Sequence, residues 1–115
     1  MQFTQSLTQN HAFRRLYNKG KHAATGCIVL YCRRNNSGGN RLGITVSTKV
    51  GKAVVRNKVR RRLKEIYRLH ESQLMPGFDL VIVARVRASE ASYAQLEADF
   101  RRLVNKLDLR AKEKS

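Results

Sequence analysis

The residues of this sequence best suited to chemistry are cations. From Lys49 to His70, nine basic side chains (Lys49, Lys52, Arg56, Lys58, Arg60, Arg61, Arg62, Lys64 and Arg68) stand against one acid, Glu65. At helical spacing this sets like charges three and four residues apart, where each pair repels by a few tenths of a kcal/mol. A charge run is ordinarily a solvated helix face, but such faces interleave both signs. Repulsion this one-sided calls for a polyanion that offsets it on binding. Arginine grips phosphate as a planar fork and lysine as a point charge, and Asn57 adds one group fit for a directed hydrogen bond. A second set, Phe13, Tyr17 and Tyr31, interleaves with Arg14, Arg15, Lys19, Lys21, Arg33 and Arg34. Three aromatics ordinarily pack in a core. Rings beside cations also hold single-stranded RNA, stacking its bases and neutralising its phosphates, and residue types alone leave both readings open.

Catalytic residues are not expected. A nuclease needs paired acids to hold metal ions, or histidines cooperating with a cation. The first acid in the chain is Glu65; His11, His22 and His70 have no cooperative spacing, and Asp79, Glu90, Glu97 and Asp99 are scattered. Cys27 and Cys32 share one apolar stretch with no CxxC pair and no histidine at ligand spacing, so they read as two buried, reduced thiols rather than a metal site. Reduced thiols suit a reducing compartment.

The composition agrees. A chain of 115 residues, 42% hydrophobic, fits one domain over 1–115 with a modest core. Its formal charge of +16 marks a polyanionic partner. The charge is segregated: residues 1–70 carry sixteen basic and one acidic side chain, and residues 71–115 eight and seven. A membrane surface would also attract cations, but the basic helix has no Trp or Phe on its apolar stripe. Residues 1–10 lack the basic start and apolar core of a secretory signal, and no apolar run approaches the roughly 20 residues that span a bilayer. A cytoplasmic location is expected.

Several elements must position these groups. A short helix is expected over about 8–18, with Phe13, Leu16 and Tyr17 on one face and Lys19-Gly20 as its stop. Residues 26–34 read as a strand, the cluster Asn35-Asn36-Ser37-Gly38-Gly39-Asn40 as a turn, and Leu42–Ser47 as the second arm of a hairpin. Ile28, Leu30 and Cys32 share one side of the first arm, and Val29, Tyr31 and Arg33 the other. The period is helical over 53–70. On a wheel centred on Val59, Val55, Leu63, Ile66 and His70 lie within about 40°, and Asn57, Arg61, Lys64 and Arg68 lie opposite. Arg56 and Arg60 flank one side of this stripe, Lys58 and Arg62 the other. Met75-Pro76-Gly77 closes the helix. Leu80–Ala84 is a continuous apolar run expected at the centre of a sheet. Ser92-Tyr93-Ala94-Gln95 matches a capping box, after which Tyr93, Leu96, Phe100, Leu103 and Leu107 mark a final core helix with a basic tail beyond it.

The segment Lys49-Val50-Gly51-Lys52-Ala53-Val54-Val55-Arg56-Asn57-Lys58-Val59-Arg60-Arg61-Arg62-Leu63-Lys64-Glu65 resembles the signature of the bacterial ribonuclease P protein family. The likeness extends from the Phe13 helix through Leu42-Gly43-Ile44-Thr45-Val46-Ser47 to the Leu80 strand and the final helix. Lys58 departs from it, standing where the family motif often has Arg: charge is kept and fork geometry lost. The resemblance implies an α+β fold, a two-layer α/β sandwich ordered α-β-β-β-α-β-α, of the ribosomal protein S5 domain 2-like kind with a left-handed β-α-β crossover. That order has one strand more than the pattern reading, placed before Gly26, and the termini are expected to be a short flexible N-terminus and a basic C-terminal tail. The resemblance also implies an enzyme subunit without catalytic residues, in which a catalytic RNA with Mg²⁺ removes the 5′ leader of precursor tRNA. The implied partners are the ribonuclease P RNA subunit and precursor tRNA, with no required protein partner and no membrane; no cofactor is held by protein side chains alone. Lys52, Arg56, Asn57, Lys58, Arg60, Arg61, Arg62, Lys64 and Arg68 are expected to meet the RNA subunit, and Phe13, Arg14, Tyr17, Tyr31 and Arg33 the leader. A basic ribosomal protein of related fold and a stand-alone ribonuclease are the competing classes.

Overall fold

The computed structural model describes residues 4–7 and 10–111. Along them the chain forms β1 (Thr4–Ser6), α1 (Asn10–Lys19), β2 (Lys21–Ala24), β3 (Ile28–Arg34), β4 (Asn40–Val46), α2 (Ala53–His70), β5 (Phe78–Ala84) and α3 (Tyr93–Lys106). From α1 onward this is the expected α-β-β-β-α-β-α order, with the additional strand, β2, lying before Gly26 as the family pattern requires.

The strands make one sheet in the order β1-β4-β5-β3-β2. The expected hairpin between β3 and β4 does not form. β5 lies between them, antiparallel to β3 and parallel to β4. Its run Leu80-Val81-Ile82-Val83-Ala84 has apolar side chains for both faces, so the central position buries more of it than an edge could. The tight hairpin is instead β2–β3, with Lys21 opposite Cys32 and Ala24 opposite Val29. The Asn35–Asn40 turn becomes a strap across the start of β5: the Asn35 N–H donates to Gly77 O at 2.9 Å, and the Phe78 N–H to Asn40 Oδ1 at 2.9 Å.

Alternation along the strands defines two faces. Ile28, Leu30, Cys32, Leu42, Val46, Leu80, Ile82 and Ala84 pack against Val59, Leu63, Ile66 and Tyr67 of α2 and Leu96, Phe100 and Leu103 of α3, forming the main core of the sandwich. Asp99 belongs to this layer too. It accepts from Thr25 Oγ1 at 2.9 Å and Gln95 Nε2 at 2.8 Å, tying the β2–β3 turn to α3. Ser92 caps α3 by accepting from the Gln95 N–H at 3.1 Å, while the Gln95 side chain turns to Asp99 instead of closing the capping box.

The opposite face is covered only in part. α1 crosses it through Ala12 and Leu16, which pack with Leu7, Val81 and the half-buried Phe13, Tyr31 and Val83. One fully buried leucine contributes about 1.5–3 kcal/mol, so α1 is held lightly compared with α2. The N-terminus, expected to be flexible, is over Thr4–Ser6 an edge strand parallel to β4. Buried Leu7 anchors it on one side, and a 2.7 Å hydrogen bond joins Thr4 Oγ1 to the Tyr67 hydroxyl on the other. At the other end, Leu109 is buried and Arg110 bridges to Leu74, so the chain stays docked past α3; the rest of the expected tail, 112–115, lies outside the described residues.

Candidate nucleic-acid interface

Helix α2 faces the core as its periodicity predicts, with Val59, Leu63 and Ile66 buried and Val55 and His70 half-buried. Tyr67 also proves fully buried, a position that the narrower apolar stripe did not include. It lies about 80° from Val59 on the wheel, reached because its hydroxyl finds Thr4 across the sheet. Burial holds the Tyr67 phenol above its ordinary pKa, against the lowering effect of its hydrogen bonds to Thr4 and Asn40.

On the outer side Lys52, Asn57, Lys58, Arg61, Lys64 and Arg68 are exposed. No side chain caps the helix start and no acid lies in its first turn, so the positive end of the helix dipole adds to these charges. The flanking arginines are half-buried and more constrained. Arg60 donates to Asn57 Oδ1 at 3.0 Å, Arg62 to the Ala91 carbonyl at 3.2 Å, and the Nε of Arg56 is screened from solvent. Arg68 is exposed but already paired: it forks onto Glu65 at 2.9 and 2.5 Å, which holds that carboxyl below its usual pKa.

The second group of expected residues converges on the open sheet face. Phe13 and Tyr17, four apart on α1, have ring centroids 6.5 Å apart, and Tyr17 meets Tyr31 of β3 edge-on at 4.9 Å. His22 extends the row, stacked on Tyr31 at 5.2 Å. Its spacing in sequence carried no sign of this role; only the register of β2, which sets His22 opposite Tyr31, shows it. The row is accessible: Tyr17 is 42% exposed, His22 is exposed, and Phe13 and Tyr31 are half-buried. Arg33 shares the face of Tyr31. Arg14 does not join the row. It is exposed about 160° round α1 from buried Leu16, beyond Tyr17.

Gly43 is another residue that sequence reasoning passed over. A Cβ there would stand 2.6 Å from Phe13 Cζ, so the bare backbone of β4 is what lets the Phe13 ring lie on the sheet. The same ring borders a groove at the end of β1 with Leu7, Gly43, Arg60 and Lys64, which joins the aromatic row to the basic helix. Among the described residues Asp79 is the only acid in the strands of this face, and it is occupied: Arg41 grips it through Nε at 2.7 Å and Nη2 at 2.6 Å, and Asn35 Nδ2 donates to it at 3.0 Å. Among the described residues no three of His, Cys, Asp or Glu converge to hold a metal ion.

Fold and site together define a small basic α+β domain with a row of rings on its open sheet face beside a basic helix. The chain belongs to the ribonuclease P protein family, whose model matches residues 1–108. It is 40% identical over 107 residues to the ribonuclease P protein component of Clostridioides difficile (strain 630), covering 92% of this chain and 94% of that protein. With the corresponding protein of Clostridium acetobutylicum it shares 43% over 105 residues, 90% of this chain and 88% of the relative. The RNase P protein of Staphylococcus aureus superposes with a TM-score of 0.85 at 30% identity, covering 92% of this chain and 97% of the other. For the RNase P protein from Thermotoga maritima the TM-score is 0.80 at 29% identity, over 89% and 96%.

Proposed function

We propose that this chain is a single RNA-binding domain, the non-catalytic protein subunit of the endoribonuclease ribonuclease P. It binds the catalytic RNA subunit and the 5′ leader of precursor tRNA and so promotes removal of the leader to give the mature 5′ end. The observation that carries this reading is the partly exposed row Phe13, Tyr17, Tyr31 and His22 on a sheet face beside the basic helix. Aromatic faces accept any base, as an enzyme that processes many different leaders requires. Lys52, Arg56, Asn57, Lys58, Arg60, Arg61, Arg62, Lys64 and Arg68 form the surface for the RNA subunit, with Arg68 first having to release Glu65. Phe13, Tyr17, Tyr31 and Arg33 take the leader, with Arg14 at the margin.

In this reading Mg²⁺ is held by the RNA subunit, where it would supply the hydrolytic chemistry. The protein's part is to hold the leader and neutralise its phosphates, which raises the effective concentration of substrate at the RNA. The test is the double change Phe13→Ala with Tyr31→Ala. It should weaken binding of precursor tRNA to the assembled enzyme and leave mature tRNA and assembly nearly unaffected. Equal losses for both tRNAs, or unfolding of the variant, would return the rings to the core. The purified protein alone should not cut precursor tRNA with Mg²⁺, and should stimulate a ribonuclease P RNA at low salt.

A further inference from the structure

A groove with a cationic rim lies beside the proposed leader surface and shares Arg33 with it. It has a volume of about 360 Å³ and opens beneath the turn from α1 to β2, between the ends of β3 and α3. Four cations rim it: Lys19, Lys21, Arg33 and Arg34. The ion pairs among the described residues, Arg41–Asp79 and Arg68–Glu65, involve none of them. The lining is shared between polar and apolar surface, with Phe78, Met75 and Leu107 in the apolar part, and the Arg34 guanidinium stands 5.3 Å from the Phe78 ring centroid. Asp108 is the one acid in the lining. A mixed lining under a cationic rim fits a nucleotide, its base on the apolar part and its phosphate at the rim, and the volume lies within the range of about 300–1,000 Å³ that small ligands occupy.

The groove meets the aromatic row round the end of the sheet: Cys32, Arg34 and Phe78 of its lining lie on the α2–α3 face, and Arg33 turns to the face of the row. Arg33 shares the sheet face of Tyr31 and also lines the groove, and Lys19 to Lys21 join Tyr17 to His22 along the chain. The row has a direction as well. Its Phe13 end adjoins Arg60 and Lys64 of α2, the surface proposed for the RNA subunit, while the groove lies at the opposite end. We infer that this groove continues the single-strand path and takes leader nucleotides that lie beyond the aromatic row, farther from the cleavage site. The inference rests on the leader reading above and adds to it a dependence on leader length.

The experiment measures binding of precursor tRNAs, their leaders shortened one nucleotide at a time, to enzyme assembled with unaltered protein, with Lys19→Gln/Lys21→Gln, or with the charge-matched control Arg102→Gln/Lys106→Gln. All four side chains are exposed, so thermal melting should be unchanged. With unaltered protein, affinity should climb with leader length in two stages, the second reached only by the longer leaders. The Lys19/Lys21 variant should lose the second stage, by roughly tenfold, and keep the first. The control should keep both, and Phe13→Ala/Tyr31→Ala should lose the first. Equal affinity of the Lys19/Lys21 variant and unaltered protein at every length would overturn the inference and leave the leader reading standing. Equal weakening at every length, leaderless tRNA included, would overturn it too, because the cations would then act only through the general field. If unaltered protein shows no dependence on leader length, the leader reading fails and the groove's role fails with it.

Discussion

Replacing Gly43 by alanine changes one atom group beneath the Phe13 ring and touches no cation. The new Cβ would lie 2.6 Å from Phe13 Cζ and 2.7 Å from Cε1, while the nearest Val81 carbon, at 3.5 Å, is at ordinary contact. Carbon atoms rest at about 3.5–4.0 Å, so the ring must withdraw by about 1 Å. Phe13 is half-buried, so it can swing toward solvent, and the stability lost should sit at the low end of the roughly 1–3 kcal/mol range for overpacking. The ring then no longer lies in line with Tyr17 and Tyr31. Up to one base stack is lost, about 1–3 kcal/mol, or roughly five- to 150-fold in affinity. The assay is equilibrium binding of precursor and mature tRNA to the assembled enzyme at fixed salt, for Gly43→Ala, Phe13→Ala and the pair. Gly43→Ala should weaken precursor tRNA alone, and should do nothing further once Phe13 is already alanine, because its effect runs through that ring. Additive losses, or an equal loss for mature tRNA, would refute the placement of Phe13 in the leader site.

The basic helix should bind chiefly through phosphates. Setting aside Arg68, paired with Glu65, and Arg62, anchored on Ala91, about six cations of that surface remain, and raising salt from about 50 to about 200 mM should weaken binding to the RNA subunit on the order of a thousandfold. A flat salt response in a filter-binding or anisotropy titration would exclude this. Arg61→Ala should lower affinity for the RNA subunit and leave thermal stability nearly unchanged, whereas Val59→Ala, at a site only 3% exposed, should cost about 1–3 kcal/mol in denaturant unfolding; the reverse would mean that the helix faces the other way. Burial raises the Cys32 thiol above its ordinary pKa, and burial followed by the neighbouring Asp99 does the same for Cys27. Both should therefore react slowly with a thiol reagent at neutral pH in the native protein and quickly in denaturant, and fast native labelling would show that β3 is not the inner strand described.

Much of this protein can be read from order along the chain. The helix at 53–70 is legible because a period of 3.6 residues separates Val59, Leu63 and Ile66 from Asn57, Arg61 and Lys64, and that separation sets both the buried face and the basic one. The central place of Leu80–Ala84 is legible because an unbroken apolar run has no polar face to give to water. What pairs with what is decided in three dimensions. Residues 35–40 read as a hairpin turn, yet the strands on either side are parted by β5, since a strand apolar on both faces gains more from two neighbours than the short turn gains from closing. β1 escapes notice because Thr4-Gln5-Ser6 has no apolar alternation and is held through Leu7 and the Tyr67 hydroxyl. His22 and Gly43 acquire their parts only through register, one opposite Tyr31 and the other beneath Phe13. Local pattern reports how each segment divides its surface between water and core, and the tertiary structure alone determines which distant side chains share the space left between them.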